Sequence, residues 1–264
     1  MGFAPIIVAI VLAAGAAPAP GWPFDRTGAD PVAHGARLAA VLGCTGCHGA
    51  ALTGEDWSEP GFIRLWTSNL TRTVPDYSDA QLRNAIRSGV RQDGTPLWGM
   101  PSHLFTQLGP ADIAALTAFL RNRPPAGTAH PRPVLEDGAR REIAAGSFRS
   151  SVDDVRRSGG AWPPDAGARF ARGRAIVRAT CAECHGMDLR GGPPHPGAAA
   201  RPDLRMVAAY DAAQLRQLLQ TGVAIGGREV GLMSQVSRGR FRHLTEAERG
   251  AVHAYLQRVA KVAP

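Results

Sequence analysis

Cys44-Thr45-Gly46-Cys47-His48 is the stretch on which the reading of this chain turns. Two thiols three positions apart, followed at once by an imidazole, suit covalent attachment of a c-type haem, in which both sulfurs bond the porphyrin edge and the His becomes an axial iron ligand. Cys181-Ala182-Glu183-Cys184-His185 repeats the arrangement, and the two sites hold all four cysteines. No thiol is left for a disulfide, a nucleophile or a thiolate ligand. A lone Cys-x-x-Cys also suits a thioredoxin-like redox pair or half of a tetrahedral zinc site. A shared zinc site requires the two pairs to converge, whereas each pair carries its own His. The motifs therefore favour two covalently bound haems, with a shared Cys/His metal site as the alternative.

Working outward, the surroundings of the two motifs also repeat. Asp30 can cap a helix with Pro31 at its first position, and Ala36, Leu38, Ala39, Val41 and Leu42 give it an apolar face leading into Cys44. Arg169 to Thr180, with Phe170, Ala175, Ile176 and Val177, leads into Cys181 in the same way. After each His come Gly, Leu and Gly at equal offsets: Gly49, Leu52 and Gly54, then Gly186, Leu189 and Gly191. Capping boxes at Ser78–Gln81 and Asp211–Gln214 then open short amphipathic helices that stop at Gly89 and Gly222. Each copy closes with one more helix, after Gly109-Pro110-Ala111-Asp112 in the first and after the capping box Thr245–Glu248 in the second. The chain thus reads as a tandem duplication of one all-helical unit.

Ten residues beyond Val90 and Val223 stand Met100 and Met233. His48 to Met100 is 52 residues and His185 to Met233 is 48, so each Met has the length of chain needed to cross the porphyrin edge and reach the face opposite the His. A single Met is more often core filler. Equal placement in both copies favours Met100 and Met233 as the sixth ligands. Met187 is too close to His185 to cross the ring, and Met206 lacks a counterpart. Bis-His ligation through His103 or His195 is the alternative at one haem. A thioether in place of a second imidazole raises the reduction potential.

At 264 residues the chain suits about two domains, and its 44% hydrophobic and 20% charged residues exclude a disordered chain or a polytopic membrane protein. Formal charge is +8, and Arg121 to Arg178 holds twelve arginines against six carboxylates. Such a surface suits an acidic partner or anionic headgroups, with solvated arginine as the plain alternative. There is no aromatic-basic motif for nucleic acid. Residues 1–24 are uncharged, with an apolar centre from Phe3 to Ala17 that fits a cleaved signal peptide, or an N-terminal anchor, of an exported protein. The expected domains are 30–123 and 165–264. They are joined by a linker over 124–164 that lies on them and carries one short helix near Glu136 to Ala145.

These features resemble class I cytochrome c domains, and the resemblance implies an all-α fold of two tandem units, each wrapped around a covalently bound haem. The first copy further resembles the cytochrome subunits of membrane-associated alcohol and gluconate dehydrogenases, through Thr67-Ser68-Asn69-Leu70-Thr71, Asp93-Gly94, Met100-Pro101 and the closing helix with Asp112, Ala115 and Leu116. That family usually carries three haems, and the second copy departs from it with Met233-Ser234 and with Gly231 where the first has Trp98. The implied function is electron transfer in an exported, periplasmic respiratory chain, from a dehydrogenase or quinol-linked donor toward an oxidase or small cytochrome acceptor. On this reading Cys44, Cys47, Cys181 and Cys184 attach the haems, while His48, Met100, His185 and Met233 ligate the irons. A filled sixth position leaves no site for substrate, so no residue is assigned as catalytic. The competing class is a dihaem enzyme, peroxidase-like or thiosulfate-oxidising, with a displaceable axial ligand. Trp57, Trp66, Trp98, Tyr77 and Tyr210 are expected against haem or in the core, with Trp66, Trp98 or Arg64 as propionate partners.

Overall fold

The computed structural model describes residues 24–193 and 198–262. The leader expected over 1–24, apart from Phe24, and His195 lie outside the described residues.

The first half is built from α1 (Pro31–Val41), the single turn α2 (Cys44–Cys47), the strand β1 (Ile63–Arg64), α3 (Leu70–Thr73), α4 (Asp79–Ser88), α5 (Ser102–Phe105) and α6 (Pro110–Arg121). Asp30 caps α1, its carboxylate accepting the Val32 N–H at 2.8 Å. The capping box of α4 forms in both directions between Ser78 and Gln81. The connection that follows contains β2 (Val134–Leu135), α7 (Asp137–Ala145) and α8 (Ser151–Ser158). The second half comprises α9 (Ala171–Thr180), the single turn α10 (Ala182–His185), α11 (Ala212–Thr221), the hairpin strands β3 (Val223–Ala224) and β4 (Arg228–Glu229), α12 (Leu232–Gly239) and α13 (Glu246–Val262). The entering helix of this half begins at Ala171 rather than Arg169, behind a 3₁₀ turn over Ala168–Phe170. Its capping boxes form at Asp211–Gln214 and Thr245–Glu248.

In each half the first and last helices cross closely, α1 on α6 and α9 on α13. Glycine makes both approaches: a Cβ on Gly35 would overlap the Ala115 carbonyl, and one on Gly173 the Ala251 carbonyl. The buried faces that result (Leu38, Ala39 and Val41 against Leu116 and Leu120, then Ile176 and Val177 against Val252, Tyr255 and Leu256) belong to one hydrophobic cluster spanning both halves. The loops after the two attachment motifs are superposable in their bonding. Gly54 N–H donates to His48 O and Gly191 N–H to His185 O, both at 2.9 Å, while Leu52 and Leu189 take left-handed conformations with φ of 61° and 62°.

The connection is more structured than its Pro-rich sequence suggests, with α8 in addition to the helix expected near Glu136. Ser150 caps α8 by accepting the Asp153 N–H at 3.2 Å, a signal overlooked because only Val152 and Val155 mark an apolar face. The segment straps the first half. β2 pairs antiparallel with β1, Phe148 lies between Phe62 and Trp98 at 5.0 and 5.2 Å, and the Ser151 N–H donates to Leu97 O at 2.9 Å.

Buried charge joins the halves. Arg178 of α9, 1% exposed, donates to the carbonyls of His103, Leu104, Gly159 and Ala161 and to the Thr106 hydroxyl. Desolvation brings its guanidinium down to about 10. On another side, Arg37 of α1 pairs with Glu248 of α13 at 2.8 Å, their side chains 12% and 0% exposed. Asp25 joins the same group: its N–H donates to Glu248, and its carboxylate meets Arg172 and Thr245. Asp112 occupies in α6 the position that Glu248 occupies in α13, the third residue after the N-cap, and faces His34 at 3.7 Å within its own half.

Candidate haem centres

Each attachment motif forms one helical turn that aims two thiols and an imidazole at the same side. The first is entered through Gly43, whose φ of 84° turns the chain from α1 into α2; the second continues directly from α9. Burial pushes the Cys44 thiol up to about 11 and raises Cys47, Cys181 and Cys184 as well. These are not thiolate nucleophiles at neutral pH, which suits thiols whose task is a covalent thioether.

Both imidazoles are oriented from behind. His48 Nδ1 donates to Ser68 O at 2.8 Å, and His185 Nδ1 donates to Pro202 O at 2.9 Å. That bond fixes the tautomer and leaves the Nε2 lone pair for a metal. Burial lowers the proton affinity of both rings, against a smaller opposing effect of the carbonyls, so both stay neutral. The paired carbonyls were not foreseen from the sequence. They stand 20 and 17 residues beyond their His, in loops whose equivalence shows only once the chain is folded.

In the first half Cys44, Cys47, His48 and Met100 line one cleft of about 140 Å³, with Trp57, Trp66, Trp98 and Tyr77 among its walls. Trp57 is half exposed, Tyr77 is buried, and Arg91 supplies a basic group on the wall that the sequence reading did not single out. Arg64 pairs instead with Glu136 at 3.4 Å. In the second half His185 is 7% exposed, Tyr210 is buried, and Met233 sits half-buried at the start of α12 against the core. Met206 is largely exposed and Met187 packs on the core.

Among the other described histidines, His34, His130 and His253 lie against other groups. His34 faces Asp112, whose carboxyl burial pushes up to about 7; His130 stacks on Trp66 and bonds Thr53 O; His253 bonds Tyr210 O. His103 is absent from the walls of the first cleft, and its carbonyl serves Arg178. Among the described residues no three His, Cys, Asp or Glu side chains cluster as a metal site, so the shared zinc alternative has no support there. An apolar, aromatic-walled cleft with two neutral thiols at one edge and a carbonyl-oriented imidazole is a donor set suited to haem.

The attachment turn with its buried thiols and carbonyl-oriented imidazole, doubled along the chain, defines a tandem haem-attachment protein. The cytochrome c family model matches residues 32–124 and again 170–260, and the chain belongs to that family. It is a dihaem c-type cytochrome of all-α fold, carries two covalent haems, and works in electron transfer. A protein of Cereibacter sphaeroides described as "Diheme cytochrome c-type" is 26% identical over a gapped alignment 299 positions long that covers 97% of each chain. The fructose dehydrogenase cytochrome subunit of Gluconobacter japonicus is 24% identical over 86% of this chain and 52% of its own length, so the chain spans about half of that relative.

Proposed function

We propose that the protein relays single electrons through two His/Met-ligated haems, one in each half, from a dehydrogenase or quinol-linked donor toward an oxidase or a small cytochrome in an exported respiratory chain. The observation that carries the ligand set is the first cleft, where Met100 shares the walls with Cys44, Cys47 and His48. Met233 is assigned by its matching place in the repeat. Cys44 and Cys47 hold the first haem, and Cys181 and Cys184 the second. Bound there, each haem supplies a one-electron ferric/ferrous couple. The chain's part is to hold His48 and His185 neutral and aimed, to keep water from the iron faces with apolar walls, and to place Arg91 toward a propionate. With Met100 and Met233 as ligands beside His48 and His185, no open position would be left for a substrate, which favours transfer over catalysis.

The dehydrogenase donor is supported by the likeness to a fructose dehydrogenase cytochrome subunit, and the arginine excess suits an acidic docking partner. Among the described residues no helix is long and apolar enough to cross a membrane, so attachment to one would rest on the N-terminal segment. The domain limits 30–123 and 165–264, with the strap between, remain our assignment.

The test is the ferric absorption spectrum of the haem-loaded protein with Met100→Ala and Met233→Ala. The wild type is expected to show the weak red band of iron–thioether ligation at two-haem intensity. Each variant is expected to lose about half of it and to lower one of the two midpoint potentials. A wild type with a high-spin haem that binds cyanide or peroxide rapidly would sink the assignment and favour an enzyme.

A further inference from the structure

The two attachment motifs meet at one junction. Arg240 follows α12 in the second half, yet its Nε donates to Val41 O at 3.2 Å, at the end of α1, and its guanidinium lies against Gly43, where a Cβ would collide with it. Its Nη1 donates to Glu183 at 2.8 Å, with the two side chains 14% and 31% exposed. Glu183 stands between Cys181 and Cys184, and it also lines the first cleft together with Cys44, Cys47, His48 and Met100. A residue of the second motif is thus part of the wall of the first site. Arg240 is near enough to act electrostatically on all four thiols, opposing the effect of their burial.

We propose, building on the electron-transfer reading above, that electrons pass directly between the haems across this junction, through the edges that carry the thioethers, and that Arg240 and Glu183 are positioning residues that close it and couple the two midpoints. In each transfer one electron leaves the ferrous centre of one half and arrives at the ferric centre of the other, and no proton, bond or group moves. A fixed cation at the junction favours the reduced state of both irons; the carboxylate opposes it. Arginine suits the position because its planar fork spans Glu183 and Val41 O together, which a lysine ammonium cannot do.

The experiment uses the full dihaem protein with Glu183→Gln, Arg240→Gln and Arg240→Lys. It reads midpoints by optical redox titration and inter-haem equilibration after flash reduction, with the first-half midpoint identified as the one that Met100→Ala moves. Glu183→Gln is expected to raise both midpoints and Arg240→Gln to lower both. Arg240→Lys is expected to keep both near the wild type while slowing equilibration. An unmoved first-half midpoint in Glu183→Gln, or wild-type equilibration in Arg240→Gln, overturns the proposal; so does a change in melting temperature alone. Should Arg240→Gln fail to fold, Glu183→Gln decides by itself. A wild type that lacks two reducible haems would instead refute the underlying reading, whereas an intact two-haem spectrum with the first midpoint unmoved refutes only the junction.

Discussion

At Gly35 the whole of a side chain is missing because the Ala115 carbonyl occupies the space it would need. Gly35→Ala therefore forces α1 away from α6, and we expect about 3 kcal/mol of lost stability, at the upper end of overpacking costs, seen as a lower denaturant midpoint with an unchanged ferric spectrum. The equivalent Gly173 faces the same constraint against Ala251. Leu52 and Leu189 illustrate a different cost: each holds a left-handed backbone at about 1 kcal/mol while its side chain is 1% exposed. At this scale the attachment residues and the capping boxes were legible, because their chemistry is local and each motif carries its own reason. The leucine positions were visible as matched letters in the two copies, but their cause was not, and Gly35 and Gly173 carried no signal of their own. A close crossing depends on a neighbour 80 residues away for Gly35 and 78 for Gly173, and a left-handed turn on the path of the folded loop.

Among elements, the strap between the halves bears on the distal side of the first cleft. Ser151 holds Leu97, Phe148 stacks on Trp98, and the chain then reaches Met100 two residues later. Ordering this loop from outside reduces its freedom to swing Met100 away. Phe148→Ala is expected to remove an aromatic pair worth about 1 kcal/mol beyond its burial and to speed displacement of the first-half methionine by added imidazole, followed as loss of the thioether band. The second half should exchange at its wild-type rate, since Phe148 makes no ring contact there. The strap was the least legible part of the chain. Its β pairing is two residues long, its helices are polar, and its hold on the first half comes from single aromatic and hydrogen-bonded contacts that leave no periodic trace.

For the molecule as a whole, the duplication read from the sequence holds for the entering, middle and closing helices and the attachment turns, but the halves are not beads on a string. Arg178 is the clearest bond between them, since its buried guanidinium serves four carbonyls of the first half and the strap. Arg178→Ala strands those acceptors and is expected to cost about 3 kcal/mol, measured as separation of one unfolding transition into two when each haem's spectrum is followed. No sequence pattern announced this contact, because an arginine among twelve in a basic stretch looks like any other until its burial is known.

The matched carboxylates Asp112 and Glu248 carry one more consequence. Descended from the same position of the repeat, one lies 3.7 Å from His34 without a hydrogen bond and is pushed up to about 7 by burial, whereas the other is paired across the halves with Arg37. A gene fragment encoding the first half would bury an acid that can shed its charge by taking up a proton, while a fragment encoding the second would bury a carboxylate whose counter-ion had been left on the other plasmid. Cutting the chain at its obvious midpoint therefore yields two unequal reagents, and a one-haem surrogate for the second centre is better made by disabling the first motif than by deleting the domain that bears it.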